Sequence, residues 1–391
     1  MQEKRLNRVL LVYRAMIPSI RLCGHCQMEL LARRGKIEYR AVQENKLKNR
    51  DLNWADVVIL GRLDSWYEYK LTKKLYEAGT YLAYILDDDL LNIPSEISSA
   101  SYYGRKEIRR NICAMVEMSR AIISPSPLLL QKYAIKGKKA IRIEEPAIEP
   151  IPYRAHDPNQ PVKIGFAGSV DRAGDIEKIL KQALIRVKQD YGERVRFEFF
   201  GAIPSFANDI DATCIPYCDS YDAYRRTLNS LEWDIGLAPM PDTLFHACKH
   251  YNKFIEYAAV GVVGIFSDLM PYKRLKSINA PARFCNNDSD AWYTTICELL
   301  NHQEEREELR KRCAEIAMTR FDVVNTVQSI ERMLNEVEPD EHKSDIKGVS
   351  GLRLRGMCRR IAEKWDEYGL KLPLVLARKS MKMREFGGKK V

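Results

Sequence analysis

Near position 250, two lysines and a glutamate stand before an apolar run that a glycine interrupts, which is odd for an ordinary surface helix. In the stretch CKHYNKFIEYAAVGVVGIFSD, Cys248 to Asp268, a helix advancing about 100° per residue places Lys249, Lys253 and Glu256 within about 60° of one another. One narrow face carries all three. The same spacing also describes a solvated Lys–Glu pair worth a few tenths of a kcal/mol, so the surroundings have to decide.

Three further groups carry chemistry. Asp87-Asp88-Asp89 follows an expected strand, Leu82 to Leu86. Such a run could bind a hard cation, recognise hydroxyls or move protons. Consecutive loop residues rarely all point at one ion, so no metal is expected. Cys23-Gly24-His25-Cys26 is a C-x-x-C whose inner pair matches that of protein disulfide isomerases, without the tryptophan that usually precedes it. Its readings are a packing pair near a helix start or thiol-disulfide exchange through Cys23 and Cys26. No second C-x-x-C or histidine pair follows at zinc-ligand spacing. Gly165, Gly168 and Gly174 do not form a dinucleotide G-x-G-x-x-G. Gly168-Ser169 is instead a small-residue turn opening towards a helix, where backbone N–H groups can meet phosphate oxygens or simply make a tight turn.

These residues need elements to place them. Apolar strands alternate with amphipathic segments: Arg8 to Tyr13, a helix near Met28 to Arg34, Val57 to Leu60, a helix near Tyr69 to Ala78, Leu82 to Leu86, and Ala121 to Ser124. From Glu145 to Pro161, five prolines in seventeen residues mark an extended linker. A second series follows: strand Lys163 to Phe166, helix Asp175 to Gln189, strand Arg196 to Phe200, helix Tyr221 to Leu231, strand Asp234 to Ala238, then the charged helix and the strand Val262 to Phe266. The alternation predicts an α/β protein of two Rossmann-like domains facing a central cleft, at residues 1–150 and 151–335, with a basic helical tail at 336–391. Ligands of such sheets bind beyond the carboxyl ends of the strands, where Gly168, Ser169, Pro239, Lys249 and Glu256 fall.

The chain has 391 residues and a net charge of +10. From Lys347 onwards 13 basic residues face 4 acidic ones, which leaves the first 346 residues at +1. A nearly neutral body with a basic tail argues against nucleic acid as the partner. In the tail Met357, Ile361 and Trp365 recur every four residues among Arg359, Arg360 and Lys364. That pattern predicts contact with an anionic membrane surface through residues 352–386, with packing across the first domain as the other reading. No apolar run is long enough to span a bilayer, and ten cysteines without an export signal suit a reducing compartment. The expected location is cytoplasmic, peripheral at the inner face of the plasma membrane.

Four segments in register, GFAGSV, FEFFG, DIGLAPMPDTLF and KHYNKFIEYAAVGVVGIFSD, resemble the nucleotide-sugar-binding domain of GT-B glycosyltransferases of the retaining "group 1" type. VYRAMIPSIR, WADVVILGR and YILDDDLLNIP resemble the acceptor-domain segments of bacterial polysaccharide transferases. The resemblance covers roughly residues 6 to 335. It implies transfer of a sugar from a nucleoside diphosphate sugar to a glycan or lipid-linked acceptor, with no cofactor and no metal. Glu256 would take the ribose hydroxyls, and Cys248 stands where the family's Glu-x7-Glu motif has its first glutamate. Lys249, Lys253, Glu256 and Tyr257 are similar to a K-S-x-x-K-x-x-E-Y variant, with His250 in the serine position. The implied donor site is Gly168, Ser169, Arg172, Pro239, Lys249, Lys253 and Glu256, with Arg21 towards the acceptor. Lys253 would stabilise the leaving diphosphate, and Asp87, Asp88 and His25 are the further catalytic candidates, His25 or Asp88 serving as base if the reaction inverts. The rival readings are thiol-disulfide exchange and a non-catalytic glycan- or nucleic-acid-binding protein of the same fold.

Overall fold

Central strands of a parallel sheet are covered on both faces, so they read as unbroken apolar runs. VVILG and YLAYI are buried at every position. The structure, a computed structural model, describes residues 7–218, 220–337 and 343–368. Its first sheet contains β1 (Asn7–Tyr13), β2 (Ile37–Gln43), β3 (Val57–Gly61), β4 (Tyr81–Ile85), β5 (Ala121–Ser124) and β6 (Lys139–Arg142), in the order β2-β1-β3-β4-β5-β6. The second contains β7 (Val162–Ala167), β8 (Val195–Phe200), β9 (Thr213–Ile215), β10 (Ile235–Ala238), β11 (Val263–Ser267) and β12 (Ala282–Cys285), in the order β12-β11-β10-β7-β8-β9. Every neighbouring pair is parallel.

Strand order reverses between β1 and β3 in the first sheet and between β7 and β10 in the second. A crevice opens at such a switch point because the connections on its two sides leave in opposite directions. The turns after β7 and β10 therefore flank one opening, and they carry Gly168-Ser169 and Pro239-Met240.

Each sheet has a core on either face, since successive side chains alternate. Val9 and Leu11 pack with Val57 and Ile59 on one face of the first sheet, whereas Leu10 and Val12 pack with Val58 and Leu60 on the other. Both faces draw on the end of the chain. The helix Gln328–Asn335, expected within the second domain, places Ile330, Met333 and Leu334 against Val9 and Ile59, and Asn7 Nδ2 donates to Leu334 O at 2.7 Å. The expected free tail also needs correction at its start: Ile346, Val349 and Leu352 are buried in the opposite core. Helix Val349–Tyr368 leaves Leu354, Met357 and Ile361 exposed on its other side. Truncation at Asp345 would thus remove core side chains along with the basic segment. The Trp365 side chain and residues 369–386 lie outside the described residues. Among the described residues no helix is long and apolar enough to cross a membrane.

Candidate active site in the cleft between the sheets

Glycines build the turn at the end of β7. Gly201, at φ +82°, follows β8, and a Cβ there would lie 2.2 Å from Gly168 O. The missing side chain lets the two strand ends close up, and Gly168 N–H donates to Phe200 O at 2.9 Å. That N–H is therefore committed to the fold and not to a phosphate. The turn after β10 is braced from β11: Ser267 Oγ accepts from Met240 N at 2.8 Å and donates to Asn287 Oδ1 at 2.5 Å, and Asn287 Nδ2 donates to Met240 O at 2.7 Å.

The charged helix spans Asn252–Ala259 and is bolted down by Tyr257. The Tyr257 hydroxyl donates to Leu237 O at 2.8 Å, and its ring lies so close to Gly236 that a Cβ there would fall 2.6 Å away. Glu256 directly precedes Tyr257 and Lys253 lies one turn earlier, and both come to the crevice. Lys249 precedes this helix instead of sharing its face, which corrects the helical spacing assumed from the sequence. It nonetheless reaches the same space through the turn that follows the short helix Leu244–Ala247.

That space is a cleft of about 290 Å³ with walls from both domains. Gly168, Ser169, Arg172 and Pro239 line one side, Lys249, Lys253 and Glu256 a second, and Asp87 and Asp88 the side contributed by the first domain. Arg172 is oriented by Pro239 O at 2.7 Å and Asp175 at 3.1 Å. Lys253 Nζ lies 2.5 Å from Glu256 Oε2 and 3.1 Å from the Tyr224 hydroxyl, which itself donates to Glu256 at 2.8 Å. Lys249 Nζ joins Asp88 Oδ1 at 2.7 Å across the domain boundary. Burial pushes the Asp88 carboxyl up, but the charges of Lys249 and Arg62 outweigh it and hold Asp88 below its ordinary value.

Several expected residues sit elsewhere. Asp89 turns away, accepting from Lys132 at 2.6 Å, Tyr133 at 2.5 Å and Asn92. His25 does not line the cleft; its Nδ1 is 2.9 Å from the Tyr39 hydroxyl, and burial lowers its pKa. Arg21 latches the domains together through Asp222 at 2.8 Å and is likewise absent from the cleft wall. Cys248 is buried in the core of the first domain. Burial, with Glu145 and Asp87 nearby, raises the Cys23 thiol, and burial raises Cys26 as well. Thiol exchange needs a thiolate, so both environments oppose that reading. Among the described residues no cluster of three or more His, Cys, Asp or Glu could hold a metal ion.

Sequence reading passed over Glu145. It lies in the proline-rich linker, where composition signals only an extended chain, yet it is 2% exposed and lines the cleft. Cys23 Sγ donates to its Oε1 at 3.1 Å, while Oε2 has no partner. Asp87 Oδ1, also in the cleft wall, is buried without a partner too, and His250 Nε2 has no hydrogen bond, only the Glu144 carboxylate 3.6 Å away. Burial raises the Glu145 carboxyl from 4.5 to about 7, His250 and the Cys23 hydrogen bond opposing and Asp87 and Glu256 reinforcing the rise. Folding therefore takes up a proton here: the neutral form's contribution is complete below pH 4.5 and is lost as the pH rises through about 7. Glu145→Gln is expected to match the wild type in urea unfolding near pH 4.5 and to exceed it by roughly 2–3 kcal/mol at pH 8. A constant difference across that range would mean that the carboxyl titrates alike in the native and unfolded chains.

No protein-family model and no curated protein matches this sequence. Solved structures do match its fold. Anabaena HepE, solved with UDP and glucose, is 12% identical, with a TM-score of 0.57 over 84% of this chain and 99% of that one. An alpha-glucosyltransferase solved with UDP and a 13-mer DNA is 12% identical, with a TM-score of 0.56 over 85% of this chain and all of that one. A putative UDP-N-acetylglucosamine 2-epimerase from Listeria monocytogenes is 12% identical, with a TM-score of 0.52 over 88% of this chain and all of that one. At such identities the likeness carries the fold alone: two parallel six-stranded sheets of GT-B type, a scaffold shared by nucleotide-sugar transferases and epimerases.

Proposed function

We propose that the protein transfers a sugar from a nucleoside diphosphate sugar to a glycan or lipid-linked acceptor. The observation that carries this reading is the convergence of Arg172, Lys249, Lys253 and Glu256 at the switch point of the second sheet, opposite Asp87 and Asp88. Cations at a crevice beyond strand ends suit a diphosphate, and Glu256 suits a ribose diol. Lys253 and Glu256 neutralise each other. An incoming nucleotide would exchange that pair for two others, Glu256 with the ribose hydroxyls and Lys253 with the diphosphate.

In the proposed step the bond between the anomeric carbon and the diphosphate oxygen breaks, and its electrons leave with the diphosphate. The acceptor hydroxyl oxygen bonds to the anomeric carbon, and its proton passes to the departing phosphate oxygen. Charge grows on the diphosphate as the bond opens, so fixed cations nearby stabilise the transition state more than the ground state. This route retains the anomeric configuration. His25 is turned to Tyr39 and Asp88 is tied to Lys249, so neither of these two candidate bases for inversion stands free.

A thermal-shift panel of UDP, GDP, dTDP and CMP tests the reading, because a ligand specific to the native state stabilises it by mass action. At least one nucleoside diphosphate should raise the melting temperature. Glu256→Ala should weaken that ligand by roughly 1.5–3 kcal/mol, the worth of a hydrogen bond to a charged group. The absence of any shift would overturn the proposal. Conversion of UDP-N-acetylglucosamine to an epimer without an acceptor would move the protein to the epimerase class.

A further inference from the structure

We infer that Glu145, reaching from the interdomain linker, is the residue that recognises the hydroxyls of the transferred sugar, with Asp87 and His250 completing that subsite. This rests on the proposed nucleotide-sugar reading and deepens it. Two buried polar atoms lining the cleft, Glu145 Oε2 and Asp87 Oδ1, have no hydrogen-bond partner, and a third, His250 Nε2, has only the Glu144 carboxylate at 3.6 Å. A buried group left in that state costs the fold, and two carboxylates so close together cost it more. Such atoms persist where a ligand completes them.

The chemistry of the three atoms specifies what that ligand offers. Asp87 Oδ1 can accept, and Glu145 Oε2 accepts when ionised and donates when protonated, so the ligand must be able both to donate and to accept, and the imidazole nitrogen exchanges one further hydrogen bond. Neighbouring hydroxyls on a pyranose ring do both. A second phosphate would meet two acidic side chains, and an apolar group would leave all three atoms unsatisfied. Arg172, Lys249 and Lys253 line the same cleft. The cleft therefore offers cations to a diphosphate and, at Glu145, Asp87 and His250, hydrogen-bonding groups to hydroxyls.

The remaining bonds of Glu145 and its neighbours serve to orient the subsite. Cys23 fixes one Glu145 oxygen, which leaves the other for the ligand. Arg62 holds Asp87 Oδ2 at 2.9 Å in the same manner, and Asn252 Oδ1 lies 2.5 Å from His250 Nδ1. Glu145 also lines an adjoining cavity of about 200 Å³ that runs beneath Ala147, Ile148 and Ile151. A sugar that engages Glu145 therefore bears directly on the segment joining the domains, so the linker responds to the sugar as well as to the nucleotide.

The test separates sugar from nucleotide. Dissociation constants of UDP, GDP and dTDP are compared with those of UDP-glucose, UDP-N-acetylglucosamine, GDP-mannose and dTDP-glucose for wild type, Glu145→Ala, Glu145→Gln and Asp87→Asn. Glu145→Ala should lose about tenfold or more in affinity for the sugar nucleotide that the wild type prefers, the loss of one charge-assisted hydrogen bond, while its affinity for the matching free diphosphate stays within about twofold. Glu145→Gln keeps the shape and one acceptor, so it should fall between the two and guards against a folding defect in the alanine variant. Equal losses for sugar nucleotide and free diphosphate, or no loss for either, would overturn the inference and leave the function standing. A wild type that binds none of the diphosphates would overturn the function itself.

Discussion

Lys253→Ala is expected to lower kcat about 10²–10³-fold, the range seen when one donor to a developing oxyanion is removed. The affinity for the free nucleoside diphosphate should change far less. Lys253 is held by Glu256 at 2.5 Å and by the Tyr224 hydroxyl at 3.1 Å. Ground-state binding therefore gives up one ion pair to make another, and the net gain is small. The transition state has no such offset, because diphosphate charge increases while the Lys253–Glu256 pair is already broken. The difference belongs in kcat. Steady-state kinetics beside a direct binding measurement will read it, and a variant that loses affinity and turnover in equal proportion would reduce Lys253 to a ground-state anchor.

Arg310→Ala should lower the unfolding free energy by about 3–5 kcal/mol, the cost of breaking a buried charge network by removing one partner. Arg310 is 2% exposed. Its guanidinium donates to both Glu307 oxygens at 2.7 Å, to Gly261 O at 3.1 Å and to Arg154 O at 3.2 Å, and it lies 2.7 Å from His156 Nε2. His156 in turn holds Asp234 at 2.8 Å. Alanine would leave Glu307 with only the Tyr153 hydroxyl and Asp234 with only His156 and Lys163 N–H, and would release the linker at Arg154 and His156. Lysine has no planar fork and would restore only part of this. Denaturant unfolding at neutral pH is the measurement, and a loss below about 1 kcal/mol would show that water replaces the guanidinium at little cost.

What could be read from the sequence follows burial. β1, β3, β4, β5, β7, β10 and β11 are interior strands with a neighbour on each side, and each carries an apolar run, whereas interior β8, VRFEFF, alternates. β2, β6, β9 and β12 lie at or near the edges, and IEYRAVQ and KAIR mix charged and apolar residues because much of their surface meets water. No run marks them. Lys249, Lys253 and Glu256 could be found because their spacing along the chain matches their closeness in space, even though Lys249 lies before the helix. Glu145 could not, since its burial arises from two domains closing over a linker. Arg21 and His25 were placed by order along the chain, but tertiary partners took them: Asp222 holds one and Tyr39 the other.

The return of residues 327–352 onto the first sheet sets an order of events during synthesis. The strands of that sheet, through Arg142, leave the ribosome first, yet Ile330, Met333 and Leu334 on one face and Val349 and Leu352 on the other emerge up to 210 residues later. At about 5–20 residues per second that is roughly 10–40 s during which Val9, Ile59 and Leu71 lack their covering partners. The second unit draws its core from Ala147 to Phe321, a contiguous stretch that is complete before those partners arrive. The half of the molecule made first is therefore the half that closes last, and chaperone binding to nascent chains should concentrate on its uncovered sheet.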